Sequence, residues 1–145
     1  MRLTSYTDFS LRLLIYLALN PDRRPTIAEV SARYGVSKAH MMKVAHQLGV
    51  GGFIATVRGK TGGLRLARAP QTITVGQVVR RTEPDMALVA CFDPAAPACV
   101  IAPACRLKAK LGEAQAAFLK VLDDCTLAEI AGNGAVLAAL LGAAA

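Results

Sequence analysis

Two helix signals separated by one glycine most strongly constrain what this chain of 145 residues can fold into. Thr26 and Glu29 have the spacing of a capping box, which predicts a short helix over residues 27–34. Gly35 ends that helix, and Ser37 is placed to cap a second, longer one. A helix, a glycine-containing turn and another helix form the helix-turn-helix pattern, in which the second helix enters the major groove of DNA.

The second helix, predicted over residues 38–48, has polar side chains at the end that would meet base edges and phosphates. The candidate DNA-contacting residues there are Ser37, Lys38, His40 and Lys43. Taken alone, these side chains could also be the solvated face of an ordinary surface helix. The segment that follows favours the DNA-binding interpretation.

A glycine-rich hairpin is predicted directly after this helix. Residues 53–57 and 64–66 are short β-prone runs, and the tip between them contains Arg58 and Lys60 among three glycines. A hairpin in this place is typical of a wing, with both cations as candidate DNA contacts. Because a narrow minor groove concentrates negative potential, we expect Arg58 to be the wing-tip probe. The alternative is a flexible charged hairpin without a partner.

The charge of the chain is divided unevenly. Residues 1–81 contain 13 lysines and arginines against 3 acidic residues, a net charge of +10, whereas residues 82–145 carry −3. This pattern is typical of a polyanion-binding module joined to a part with another role. We predict a winged helix-turn-helix DNA-binding domain over 1–81, a cysteine-bearing loop over 82–105, and a dimerisation helix with a C-terminal tail over 106–145. The predicted fold class is mostly α with a small β-hairpin wing.

The first helix of the chain is predicted from the hydroxyl side chains of Thr4, Ser5 and Thr7, which can cap it. Asp8 adds negative charge in the first turn, where the helix dipole favours it. Residues 9–19 are apolar on nearly every side of such a helix. We therefore expect it to be buried on more than one side.

The high apolar content does not predict a membrane protein. Hydrophobic residues make up 54% of the chain, yet no run approaches the roughly 18 uncharged apolar residues that a membrane-spanning helix needs. Asp8 and Arg12 interrupt the place where the apolar core of a secretion signal would begin. We therefore expect a cytoplasmic protein without a membrane segment. The sequence has no recognisable nucleophile and base pair or paired carboxylates, so we expect no enzymatic activity.

Three cysteines lie in a proline- and alanine-rich segment without helical or strand periodicity. Cys91, Cys99 and Cys105 form the pattern C-x7-C-x5-C. In a reducing compartment they could be zinc ligands, a thiol switch, iron-sulfur ligands or incidental. Zinc usually takes four ligands, and the two histidines, His40 and His46, belong to the predicted DNA-reading helix. Three thiolates suit an iron-sulfur cluster whose fourth ligand is weaker or comes from another subunit. The spacing alone does not favour this interpretation over a zinc site or a thiol switch.

A long helix is predicted over residues 105–124, because its apolar residues step by three and four. They are Leu107, Leu111, Ala114, Phe118, Val121 or Leu122, and Cys125. This coiled-coil spacing predicts dimerisation, the alternative being packing on its own domain only. A dimer would present two reading helices to a near-palindromic DNA site. At about 1.5 Å per helical residue, Cys125 lies roughly 30 Å from Cys105, so we expect it to be a buried apolar residue rather than a ligand.

These features together resemble the NsrR nitric-oxide-sensing repressors, a branch of the winged-helix iron-sulfur regulators that also includes the IscR proteins. The resemblance rests on residues 1–8, 34–37, 57–63, 103–108 and 126–128 and on the three cysteines. IscR-type members place a histidine ligand just after the third cysteine. Here Arg106, Leu107 and Lys108 stand at those positions, which favours the NsrR branch.

The resemblance implies a homodimeric repressor that binds a [4Fe-4S] cluster, with a [2Fe-2S] cluster as the alternative. Its ligands would be Cys91, Cys99 and Cys105, with Asp8 of the partner subunit as the fourth. Nitric oxide would act on the cluster and release operator DNA. The seven residues between the first two cysteines exceed the usual family spacing, an extension that a loop absorbs at small entropic cost. The main alternative is a cluster-free winged-helix regulator that uses the three thiols as a redox or zinc sensor.

Overall fold

The computed structural model describes residues 2–59 and 61–142. The elements in chain order are α1 (Ser5–Ala18), α2 (Ile27–Tyr34), α3 (Lys38–Val50), β1 (Ile54–Val57), β2 (Gly63–Leu66), α4 (Val75–Thr82), α5 (Arg106–Asp124), α6 (Leu127–Ile130) and α7 (Gly134–Leu140). Short 3-10 turns lie at Pro70–Thr72, Ala90–Phe92 and Ala102–Ala104. The prediction of a mostly helical fold with one β-hairpin is confirmed.

Helix α1 lies at the centre of the core. Thr4 caps it by accepting the Thr7 N–H, and Leu13, Leu14 and Tyr16 are fully buried. The helix packs against α2, α3, α4, α6 and β2. The expectation that α1 is buried on more than one side is therefore confirmed.

The helix-turn-helix follows the predicted caps. Thr26 accepts the Glu29 N–H at the start of α2, and Gly35 ends that helix in the left-handed region at φ 62°. Ser37 accepts the His40 N–H at the start of α3. The third helix runs to Val50, two residues past the predicted end, because a glycine at 49 lowers helix stability without forbidding a helical backbone.

The hairpin is anchored to the segment just before α2 through the first residues of β2. Strands β1 and β2 pair antiparallel, with Ile54 opposite Leu66. On the other edge of β2, the Leu64 N–H donates to the Pro25 carbonyl at 2.9 Å. A Cβ at Gly63 would lie 2.1 Å from the Arg24 carbonyl oxygen. Only glycine allows β2 to approach the chain before α2 this closely.

The C-terminal part packs back onto the basic half. The Val75 N–H donates to the Cys125 carbonyl at 2.9 Å, and the Leu127 N–H donates to the Ile73 carbonyl at 2.8 Å. Leu127 is only 2% exposed and belongs to the main core. Helix α5 packs on α4, but none of its own residues is fully buried. It therefore presents most of its length to solvent in a single chain.

Residues 83–105, here named the cysteine loop, connect α4 to α5. None of these residues is fully buried, and two 3-10 turns give the loop local order that its sequence did not predict. The Gln115 side chain of α5 donates to the Met86 carbonyl, which holds the first part of the loop against α5. In the described part of the chain, no helix has the length and apolar character to cross a membrane.

Candidate DNA-binding surface and cysteine loop

The candidate DNA-contacting residues of α3 lie on its exposed side. Ser37, Lys38, His40 and Lys43 are all exposed, while the opposite side of the helix is held in the core. The Ser37 hydroxyl is used as the helix cap, since it accepts the His40 N–H at 3.2 Å. The two lysines supply the positive charge at this end of α3.

Three further residues of the exposed side were missed by the sequence reasoning. The buried residues of α3 are Met41, Val44, Ala45 and Leu48. At 3.6 residues per turn, Ala39, Met42 and His46 join Lys43 on the opposite side. The signal was present in the sequence as the 41, 44, 45, 48 spacing of apolar residues, which defines the outward face. The prediction from sequence considered only polar and charged side chains and therefore omitted these residues.

Two ring contacts connect α1 to the helix-turn-helix. The Phe9 ring stacks on the His40 ring, with centroids 6.4 Å apart. The Arg12 guanidinium lies 5.8 Å from the centre of the Tyr34 ring, close enough for a cation–π contact. Tyr34 is the last residue of α2, and His40 is in the first turn of α3. Helix α1 thus contacts both sides of the turn.

The hairpin that was predicted as a wing carries further exposed cations. Arg58 follows β1 and is exposed. Lys60, the other predicted wing cation, lies outside the described residues. Arg68, just beyond β2, stacks its guanidinium over the Phe53 ring at 4.9 Å, and Arg65 on β2 is exposed. Cations therefore line the hairpin from tip to base.

The three loop cysteines occupy different local environments. Cys91 is half-buried in the 3-10 turn at Ala90–Phe92, and Cys99 is exposed. Cys105 caps α5, where its Sγ accepts the Lys108 N–H at 3.3 Å.

These thiols are unpaired, and the structure does not bring them together. Within residues 2–59 and 61–142, no group of three or more His, Cys, Asp or Glu side chains is placed to hold a metal ion. The chemistry of the side chains fits an iron-sulfur cluster, because such clusters are held by cysteine thiolates and three cysteines lie on one loop. No residue of this loop is fully buried. The prediction for Cys125 was wrong in part. This residue is half-buried because it directly follows α5, a helix that has no fully buried residue.

Asp8 lies in the first turn of α1, away from the core. Its carboxylate pairs with the Arg12 guanidinium at 2.9 Å, and 47% of the Asp8 side chain is exposed. The carboxylate can therefore be reached by a second molecule, and Arg12 sets its orientation.

Glu83 connects the cysteine loop to the start of α1. Its Oε1 accepts the Thr4 N–H at 2.9 Å, the Thr4 hydroxyl at 3.1 Å and the Thr7 hydroxyl. The Thr7 and Thr82 hydroxyls are 2.8 Å apart, and both residues are buried. These four residues, here named the Glu83 cluster, fasten the first residue of the loop to the helix that carries Asp8.

Comparisons with known proteins agree with this architecture. The family model described as Rrf2, iron-dependent transcriptional regulator, matches residues 3–133. The HTH-type transcriptional regulator NsrR of Halalkalibacterium halodurans is 47% identical over 142 residues, covering 97% of both chains. The protein of that name in Bacillus subtilis is 47% identical over 134 residues, covering 92% of both chains.

Solved structures show the same fold at lower sequence identity. The global cysteine regulator CymR of B. subtilis has a TM-score of 0.75 and 22% identity, with 91% of this chain and 97% of CymR covered. IscR of T. potens has a TM-score of 0.71 and 21% identity, with 90% and 85% covered.

The fold and the exposed basic surface thus define a winged-helix transcriptional regulator. The chain belongs to the Rrf2 family of transcriptional regulators. Within that family it is similar to the NsrR-named regulators over nearly its whole length, which confirms the resemblance seen in the sequence.

Proposed function

We propose that this chain is a homodimeric transcriptional repressor that responds to nitric oxide through a [4Fe-4S] cluster held by Cys91, Cys99 and Cys105. The observation that carries the proposal is the Glu83 cluster. It joins a loop with three thiols directly to the helix that contacts both sides of the helix-turn-helix. The names of the relatives and the iron-dependent description of the family support the same assignment.

The DNA-binding part of the proposal uses α3 in the major groove and the hairpin in the adjacent minor groove. Lys38, Lys43 and Arg58 are exposed on these elements, so they are available to phosphates and base edges. With two chains related by a twofold axis, the operator would be a near-palindrome.

Helix α5 supplies the dimer contact of the proposal. Leu107 and Val121 are 66% and 67% exposed on it, and half-buried Leu111 and Phe118 lie between them at heptad-like spacing. A second copy of α5 would remove these apolar side chains from water. Dimerisation would also bring Asp8 of the partner subunit to the cysteine loop.

The cysteine loop and Asp8 would hold the cluster in this proposal. A bound cluster supplies iron at which nitric oxide can react. The Cys105 Sγ, which accepts the Lys108 N–H at the start of α5, would be one of the three sulfur ligands. A carboxylate binds such iron more weakly than a thiolate does, so Asp8 would be the most weakly held of the four ligands.

The route from Asp8 to DNA runs through α1. An Asp8 carboxylate that is not held by the partner's loop would pair with Arg12 of its own chain, the contact seen in the structure. Arg12 also contacts Tyr34, and the neighbouring Phe9 contacts His40. A change in the position of Asp8 therefore reaches both ends of the turn that orients α3.

The proposal is tested first by ligand substitution. The full chain and four variants, with Cys91, Cys99, Cys105 or Cys125 each changed to Ala, are purified without oxygen, and iron and sulfide are counted. We expect four irons per chain in the wild type and in Cys125→Ala, and loss of iron in the other three. Two irons per chain would instead indicate a [2Fe-2S] cluster, and equal iron loss in Cys125→Ala would contradict the ligand assignment.

The sensing step is tested by titration with nitric oxide. Duplexes are selected by the wild-type protein from a random pool, and binding is followed as nitric oxide is added anaerobically. We expect binding to fall as the cluster reacts. Asp8→Ala should keep three-thiolate ligation and weaken the response. Binding that is unchanged after complete loss of the cluster would refute the proposal.

The second candidate function is a cluster-free thiol or zinc sensor. The thiol-sensor form is favoured by one observation: Cys91, Cys99 and Cys105 are free, and in the described residues no group of three His, Cys, Asp or Glu side chains is placed to hold a metal ion. A colourless anaerobic preparation without iron, whose DNA binding changes with thiol oxidation or zinc, would support this function instead.

A further inference from the structure

An exposed apolar side chain lies in the middle of the DNA-facing side of α3. Met42 is 52% exposed, although its neighbour Met41 is fully buried. Ala39, one turn earlier, is also exposed and lies next to Met42 on the helix surface. Lys38 and Lys43 stand on either side of this apolar pair. The outward face thus combines methyl-sized apolar surface with cationic donors.

The same part of α3 lacks the side chains that read adenine and cytosine. Residues 38–46 contain no Asp, Glu, Asn or Gln. Asn and Gln read adenine, and Asp and Glu accept from the amino group of cytosine. The cationic donors of this face instead suit the O6 and N7 acceptors of guanine, and its apolar surface suits the C5-methyl group of thymine.

The histidine nearest the start of α3 is already engaged. The His40 ring stacks on Phe9, which keeps it at the α1 contact. Besides His40, the exposed residues of the first two turns are Lys38, Ala39, Met42 and Lys43. Met42 and Lys43 are adjacent in the chain.

We propose that Met42 is a specificity-determining residue, which packs with Ala39 against a thymine methyl group in each half-site while Lys43 donates to a neighbouring guanine. This inference rests on the proposed DNA-binding function. It adds the base pair that is recognised and the chemical group that is read.

The experiment removes the methyl group from the DNA and the thioether from the protein. A duplex selected by the wild-type full chain from a random pool is resynthesised with deoxyuridine replacing thymidine at one symmetric pair of positions at a time. Affinities are measured for wild type, Met42→Ala and Val50→Ala. Val50 is the matched control, because it is an apolar residue of the same helix, 62% exposed, but at its far end.

We expect one pair of positions at which deoxyuridine weakens wild-type binding by roughly fourfold per methyl group removed. Met42→Ala should bind the thymidine duplex more weakly and show little further loss at that position. Val50→Ala should respond as the wild type does. The inference would be overturned if deoxyuridine lowered the affinity of Met42→Ala as much as that of the wild type, or if no position were sensitive. Binding that still fell with rising salt concentration would in that case leave the DNA-binding proposal intact.

A second variant tests the gain of a different reading. Met42→Gln places a carboxamide on the same face, and Gln can bind adenine N6 and N7 together. Selection with this variant should replace thymine by adenine at the sensitive position. The inference would be refuted if Met42→Gln selected the same sequence as the wild type. It would also be refuted if the substitution changed only the oligomeric state of the DNA-free protein, because Met42 would then make a protein contact.

No selected duplex for any variant would contradict the DNA-binding function itself. The circular dichroism and thermal unfolding of each variant are compared with the wild type. Since position 42 is exposed and Ala is a good helix former, folding should be retained.

Discussion

At the scale of single residues, Glu83 makes the contact with the largest effect expected on stability. Its one carboxylate oxygen accepts from two hydroxyls and one backbone N–H at the start of α1. Hydrogen bonds to a charged acceptor are stronger than those to a neutral acceptor. Thr7 and Thr82, the two threonines next to this carboxylate, are buried. This residue therefore joins two parts of the chain that are far apart in sequence.

Glu83→Gln should lower the free energy of unfolding by about 1–2 kcal/mol, because a neutral amide is a weaker acceptor and leaves the buried hydroxyls less well satisfied. Urea unfolding of the cluster-free protein measures this. Glu113→Gln is the control, since Glu113 pairs with Lys110 on an exposed face where ion pairs contribute little. Equal effects of the two substitutions would contradict a special role for Glu83.

The Arg80 and Asp123 pair predicts part of the acid sensitivity of the fold. The hydrogen bond from the Arg80 guanidinium lowers the pKa of Asp123 below its ordinary value. A depressed folded-state pKa adds stability that is complete above the unfolded pKa of about 4 and is lost as pH falls through the lower folded value. Asp123→Asn should therefore flatten the loss of stability below about pH 4.

That dependence is measured by urea unfolding between about pH 2 and pH 6, a range that spans the unfolded-state pKa of about 4. Asp22→Asn, at an exposed position away from the α4 and α5 contact, is the control. A profile for Asp123→Asn that parallels the wild type through the acid range would show that the pair does not contribute.

At the scale of elements, the position of the wing depends on Gly63. A side chain there would collide with the backbone of Arg24, because its Cβ would lie 2.1 Å from that carbonyl oxygen. Gly63→Ala should therefore separate β2 from the helix-turn-helix and destabilise the protein by about 2 kcal/mol or more.

Gly49→Ala is the matched control for this substitution. Gly49 lies inside α3, and a Cβ there would meet nothing within 4 Å. Because Ala favours a helix over Gly, this variant should be more stable by roughly 0.5–1 kcal/mol. Thermal or urea unfolding of both proteins should give effects of opposite sign, and destabilisation by both would refute the explanation.

At the scale of the whole molecule, α5 is a helix whose apolar residues Leu107 and Val121 are exposed in a single chain. Val121→Glu should separate the proposed dimer, because it places a charge in the apolar contact between two copies. Val136→Glu on α7 is the control, at a position 59% exposed outside that face. Sedimentation should give the mass of one chain for Val121→Glu and of two chains for the control.

Separation of the dimer should also weaken binding to the operator. Two linked subunits hold two half-sites at a high effective concentration, and this advantage is lost in a monomer, roughly 100-fold or more in affinity. A monomeric Val121→Glu protein with wild-type affinity would contradict the twofold arrangement of the reading helices.

Much of the local structure could be predicted from the sequence. Thr26, Gly35 and Ser37 mark the ends of α2 and α3, because each acts through a hydrogen bond or a backbone angle within a few residues. The hairpin and the helix before Cys125 were predictable for the same reason. Of the candidate site, the exposed positions at the start of α3 followed from this pattern.

Other features depend on residues that are distant in the chain. Glu83 meets Thr4 across 79 positions, and Gly63 meets Arg24, so no local signal marks either contact.

The sequence by itself determined where helices and turns begin, which charges the basic half carries, and which thiols share a loop. Only the tertiary structure decided that this loop is fastened to α1 and that α1 contacts the helix-turn-helix. Capping and periodicity act between near neighbours, whereas these contacts arise when separate elements pack and bury polar groups that must find partners.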